Sequence, residues 1–94
     1  MLKRDIVEAI SAEMDGYLKK DIAQAIDLML DTMTEALVEG RRVEIRGFGS
    51  FSVRQRKPRT TKNPKTGKVM DIPARSTLHF TMSKSLKEAL IEKG

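Results

Sequence analysis

Cysteine is absent from the 94-residue sequence, so it has neither a disulfide framework nor a thiolate metal site. The single histidine, His79, has no carboxylates clustered beside it in sequence, and no Ser-His-Asp or Cys-His set can be assembled. No metal, cofactor, small-molecule substrate or enzymatic reaction is therefore expected. No stretch approaches the roughly 18 apolar residues of a membrane span. The N-terminal MLKRDIVEAI is charged and helix-patterned and lacks the apolar run of a signal peptide. These absences lead to the expectation of a cytoplasmic protein with no membrane partner. Acidic residues are missing too in one place: residues 45 to 70 contain no Asp or Glu.

That stretch holds Arg46, Arg54, Arg56, Lys57, Arg59, Lys62, Lys65 and Lys68. The net charge of +5 thus divides into a strongly basic segment and a mildly acidic remainder. Such an asymmetry is the electrostatic footprint of nucleic-acid binding; a solvated charge run is the plainer alternative. Residues 54–68 also contain Pro58, Pro64 and Gly67 and almost nothing apolar. A segment of that composition cannot bury enough surface to order itself, and it reads as a flexible basic arm with Asn63-Pro64-Lys65 at its tip. Without the arm, roughly 70 residues remain for a core, which is marginal for a lone chain. Oligomerisation is a common remedy, so a dimer is expected. The organisation expected is one domain over 1–94, with a body at 1–53 and 76–94 and an arm at about 54–75.

Periodicity predicts a helix over 3–14, with Ile6, Val7, Ile10 and Met14 on one face. Asp15-Gly16-Tyr17 breaks it. A longer helix over 18–39 carries a wide apolar stripe, including Ile22, Ala25, Ile26, Met29, Met33 and Leu37, and Gly40 ends it. The period then changes. Val43, Ile45, Phe48, Phe51 and Val53 belong to strands, and Gly47 and Gly49 supply the positive φ of a hairpin turn around a buried Phe48. Gly-Phe-Gly lacks the spacing of a nucleotide-binding fingerprint. Val69, Ile72, Leu78 and Phe80 form a returning strand, so the arm is expected to be one long β-ribbon reaching about 30 Å. A short helix over 83–92 follows, with Ser83 as N-cap and Leu86, Ala89 and Leu90 facing inward. The fold class is α+β: two N-terminal helices, a three-stranded antiparallel sheet extended into a β-ribbon arm, and a short C-terminal helix.

This order, together with Gly47-Phe48-Gly49-Ser50-Phe51, Arg59-Thr60, Asn63-Pro64-Lys65-Thr66-Gly67 and Ile72-Pro73-Ala74, resembles the HU and integration-host-factor family of bacterial DNA-bending proteins over essentially the whole chain. Residues 43–52 look closer to the integration-host-factor beta type. The resemblance implies an intertwined dimer, with an identical or a related chain, that grips double-stranded DNA in the minor groove with two arms and is associated with the nucleoid. It implies that Pro64 intercalates between base pairs and kinks the DNA. Arg54, Arg56, Arg59, Lys62 and Lys65 match family arm cations, and Lys3 and Lys84 match body contacts to phosphate. Glu44 and Arg46 match positions near bases. Asn63, Lys68 and Arg75 complete the DNA-binding candidates. The chain departs from the family pattern at Thr61, where Gly is usual, at Thr77-Leu78-His79-Phe80, and at Met82-Ser83-Lys84. Leu18 stands where a serine often caps the second helix.

Bland readings stand beside these. Pro64 can simply shape a turn, and Arg46 can pair with Glu44. The whole chain can be an electrostatic module that binds RNA or another polyanion without bending it.

Overall fold

The computed structural model describes residues 1–93, which fall into two compact units divided between Ala36 and Leu37.

The first unit is helical. Helix α1 spans Lys3–Glu13 and helix α2 spans Lys19–Val38, its last turn crossing into the second unit. The Asp5 carboxylate accepts the Leu2 backbone N–H at 2.6 Å, satisfying a donor that the first turn leaves without a partner. Gly16, at φ +88°, turns the chain between the helices. Among the described residues no side chain caps the start of α2; the Leu18 carbonyl accepts the Asp21 and Ile22 N–H groups. Val7, Ile22 and Ile26 are buried, with Ile10 and Ala23 packed against them. Of the rest of the expected stripe, Met33 and Leu37 are half-buried, while Ile6, Met14, Ala25 and Met29 are exposed.

The second unit is a sheet, its ribbon and a helix. Strands β1 (Val43–Ile45), β2 (Gly49–Arg56) and β5 (Arg75–Met82) form an antiparallel sheet in the order β1-β2-β5. Strands β3 (Arg59–Lys62) and β4 (Val69–Ile72) form a separate two-stranded sheet. The single long ribbon expected from the sequence is therefore two ladders. Pro58 and Pro73 explain the break, since neither can donate to a ladder. Helix α3 runs Lys84–Lys93.

Register sorts the three-stranded sheet into two chemical faces, because side chains alternate along each strand. Val43 lies opposite Phe51, and Phe51 opposite Phe80. Ile45, Gly49 and Met82 form the next row, and Val53 pairs with Leu78. Phe51 and Phe80 ring centroids are 4.8 Å apart and Phe48 and Phe80 5.5 Å, within the range of favourable tilted contacts. Phe48 is nevertheless 45% exposed, not buried as the sequence suggested, and Leu78 is 60% exposed. A lone sheet packs its aromatics sideways but cannot cover their outer side.

Of the two glycines in the hairpin, only Gly47 has a positive φ, +83°. It sits in the turn closed by the Phe48 N–H to the Ile45 carbonyl at 3.0 Å. Gly49 is a buried strand residue, and its role is space: a Cβ there would lie 2.6 Å from the Phe80 ring and 2.6 Å from the Thr81 carbonyl oxygen.

The Ser83 hydroxyl accepts the Leu86 N–H at 3.1 Å, capping α3 as expected. Leu86 is half-buried while Ala89 and Leu90 are exposed, so packing holds this helix weakly and the cap matters more. Ser83→Ala is expected to destabilise the fold by about 1 kcal/mol, read from chemical denaturation at constant m-value.

Candidate nucleic-acid interface

The opposite face of the sheet is polar. Alternation places Glu44, Ser50, Ser52, Arg54 and Arg56 there, beside Arg75, Thr77, His79 and Thr81 on β5. Small hydroxyl side chains occupy its centre and arginines its arm end. Ser50, Ser52, Thr77 and Thr81 were not expected from sequence to be site residues. The signal was present in the strict alternation of β2 and β5, but it needed the register to show that both strands turn hydroxyls to one face.

Arg54 is opposite Thr77, whose hydroxyl donates to the Arg54 carbonyl at 3.5 Å. Arg56 is opposite Arg75, so two like charges close the ladder. On the distal ladder Arg59 and Lys62 fall on opposite faces, because they are three positions apart, an odd number. Thr61, the departure from the family's glycine, pairs with Met70 in the ladder, a position where a β-branched residue fits well. Thr60 donates its hydroxyl to the Asp71 carboxylate at 3.1 Å.

The tip is built by Asn63. Its side-chain oxygen accepts the Lys65 N–H at 2.9 Å and the Thr66 N–H at 3.4 Å, an Asx turn around Pro64. Backbone bonds at 2.8 Å from Asn63 N–H to the Lys68 carbonyl and from Gly67 N–H to the Asn63 carbonyl close the loop, and Gly67 supplies φ +72°. Asn63 is half-buried by its own turn, while Pro64, Lys65 and Lys68 are exposed. A polar residue thus fixes the loop from within and leaves the proline ring outside. Asn63→Ala is expected to loosen this turn by about 1 kcal/mol, seen as faster amide exchange at Lys65 and Thr66 with the helices unchanged.

The remaining candidates belong to other elements than the arm strands. Arg46 is in the β1–β2 turn, exposed, and makes no ion pair with Glu44 among the described residues. Lys84 opens α3 and lies 3.9 Å from Glu88, too loose and exposed to count for much. Lys3 belongs to the helical unit, where its ammonium meets Asp27 at 2.6 Å. The hydrogen bond and charge of Asp27 raise the Lys3 pKa above its ordinary value, so Lys3 stays cationic at every physiological pH.

The sequence model of the family described as "Bacterial DNA-binding protein" matches residues 1–91. The chain is 43% identical over 88 residues to integration host factor subunit beta of Bordetella petrii, covering 94% of this chain and 74% of that one. It is 44% identical over 90 residues to integration host factor subunit alpha of Myxococcus xanthus, covering 96% and 69%. The fold superposes on an HU–DNA cocrystal structure from Anabaena with a TM-score of 0.81 and 38% identity, covering 96% of this chain and 97% of the other.

Proposed function

The chain belongs to the bacterial DNA-binding protein family of HU and integration host factor, and from that premise we propose that it is an architectural protein that bends duplex DNA as a dimer. Its arms enter the minor groove, and Pro64 wedges between base pairs at each tip. The observation that carries this reading is the tip itself: an exposed proline on a loop pinned by Asn63, at the end of a cation-lined ribbon. A proline ring is apolar and rigid and has no N–H to leave unsatisfied in a base stack. Arg54, Arg56, Arg59, Lys62, Lys65, Lys68 and Arg75 supply the phosphate contacts that hold it there, with Lys3, Arg46 and Lys84 adding contacts from the body. The nucleoid is where such a protein acts.

The dimer reading is supported by what the lone chain leaves open. Among the described residues the buried apolar side chains are Val7, Ile22 and Ile26, while Ile45, Phe48, Leu78, Phe80 and Met82 stay exposed on or beside one sheet face. A second copy or a related chain would cover that face.

Fluorescence energy transfer across an end-labelled duplex, over a salt series, tests the proposal. A large, salt-sensitive bend supports it. Tight binding without bending would identify an electrostatic module for RNA or other polyanions instead.

A further inference from the structure

The arm has an elbow. Ladder β2–β5 ends at the pair Arg56 and Arg75, and ladder β3–β4 begins at Arg59 and Ile72. Lys57-Pro58 and Pro73-Ala74 lie between them, outside both ladders. Around this break Arg56, Lys57, Arg59 and Arg75 line one concavity of about 370 Å³, with Ile72 and Thr77 among its walls. No carboxylate lines it, and none of the four cations makes an ion pair among the described residues. The one acid of the arm, Asp71, is engaged by Thr60 on the other face of the distal ladder from Arg59.

Like charges directly opposite one another weaken a sheet. Here the opposed pair stands at the point where the prolines have already removed the ladder's hydrogen bonds. An anion between the two arginines would reverse that repulsion. Guanidinium forks match two oxygens of a phosphate group, and such charge-assisted bonds are the stronger kind. A phosphate seated there would face Arg56 and Arg75 from the proximal ladder and Arg59 from the distal one.

We infer that the elbow is a phosphate clamp: one phosphate group held by Arg56, Arg75 and Arg59 ties the two ladders together and fixes the direction of the distal arm. The inference rests on the DNA-binding reading, in which the group is a phosphodiester of the duplex. Free oligophosphate carries the same chemistry and fills the same site when DNA is absent.

The test titrates inorganic tripolyphosphate into the DNA-free full chain and follows backbone amide shifts by NMR. It compares wild type with Arg75→Gln, Arg56→Gln and a charge-matched change on α3, Lys87→Gln. All three side chains are exposed, so the variants keep the fold. The expected result is saturable binding with shifts centred on Lys57, Arg59 and Ala74. Affinity falls about ten-fold in both arginine variants and stays within about two-fold in Lys87→Gln. On a duplex, each arginine variant lowers the slope of log affinity against log salt by less than about one unit per arm, because the two remaining arginines still meet the shared phosphate, while Lys87→Gln leaves it unchanged. If tripolyphosphate does not saturate, the clamp is wrong, and a duplex slope that still falls in the arginine variants alone shows separate phosphate contacts instead. If the arginine variants match Lys87→Gln in both assays while wild type still bends DNA, the clamp is wrong and the bending function stands. Wild type that fails to bend DNA refutes the functional proposal, and the tripolyphosphate titration then judges the clamp by itself.

Discussion

Pro64→Ala is expected to remove most of the bend from a bound duplex while leaving most of the affinity. In the proposed mechanism the two quantities separate because different groups supply them. Affinity would come from arm and body cations that displace counterions from phosphates, and none of these is touched. The bend would come from an apolar wedge between base pairs, which costs a few kcal/mol of unstacking per step and kinks the duplex by tens of degrees. Alanine keeps the Asn63 acceptor and the backbone bonds that close the loop, so the tip survives without its ring. Energy transfer should therefore report a loss of bend on the order of tens of degrees, with the salt slope unchanged. A variant that bends DNA as fully as wild type would show that Pro64 only shapes the turn.

The second large effect concerns stability. Gly49→Ala places a Cβ 2.6 Å from the Phe80 ring carbons and from the Thr81 carbonyl oxygen. Neither neighbour can give way cheaply. Gly49 and Thr81 are held by adjacent rungs of the β2–β5 ladder, and Phe80 is held by Phe48 and Phe51. Overpacking of this kind costs up to about 3 kcal/mol, a fall of roughly 10–20 °C in Tm for a chain of this size. Gly47→Ala provides the contrast. It meets nothing within 4 Å but sits at φ +83°, a backbone penalty of about 1 kcal/mol. Thermal unfolding of the two variants should rank Gly49→Ala well below Gly47→Ala. The reverse order would mean that the sheet is not packed as described.

These two glycines also mark the boundary of what could be read from the chain. From sequence both belong to a turn, since glycines flanking one residue between strand patterns suggest positive φ. That holds for Gly47, which sits in a turn closed locally by the Phe48 N–H on the Ile45 carbonyl. It fails for Gly49, whose constraint is a phenylalanine from the far side of the arm. Likewise Pro58 and Pro73 stand in the sequence where one continuous ribbon was expected, and only pairing shows that they interrupt both strands at the same place and turn one ribbon into two.

The sequence by itself determined whatever depends on neighbours a few residues apart. That includes both long helices, with their glycine stops at Gly16 and Gly40, the Ser83 cap, and the Asn-Pro tip of an acid-free basic arm. Its motifs were also specific enough to point to the family. Only the tertiary structure decided the register. Register set the division of the sheet into an apolar and a polar face, the close approach at Gly49, the like-charged pair Arg56 and Arg75, and the split of Arg59 from Lys62 onto opposite faces. The reason is physical: helix periodicity and caps are local interactions. Strand pairing across an arm of some twenty residues is not, and a slip of one residue would turn every side chain to the other face.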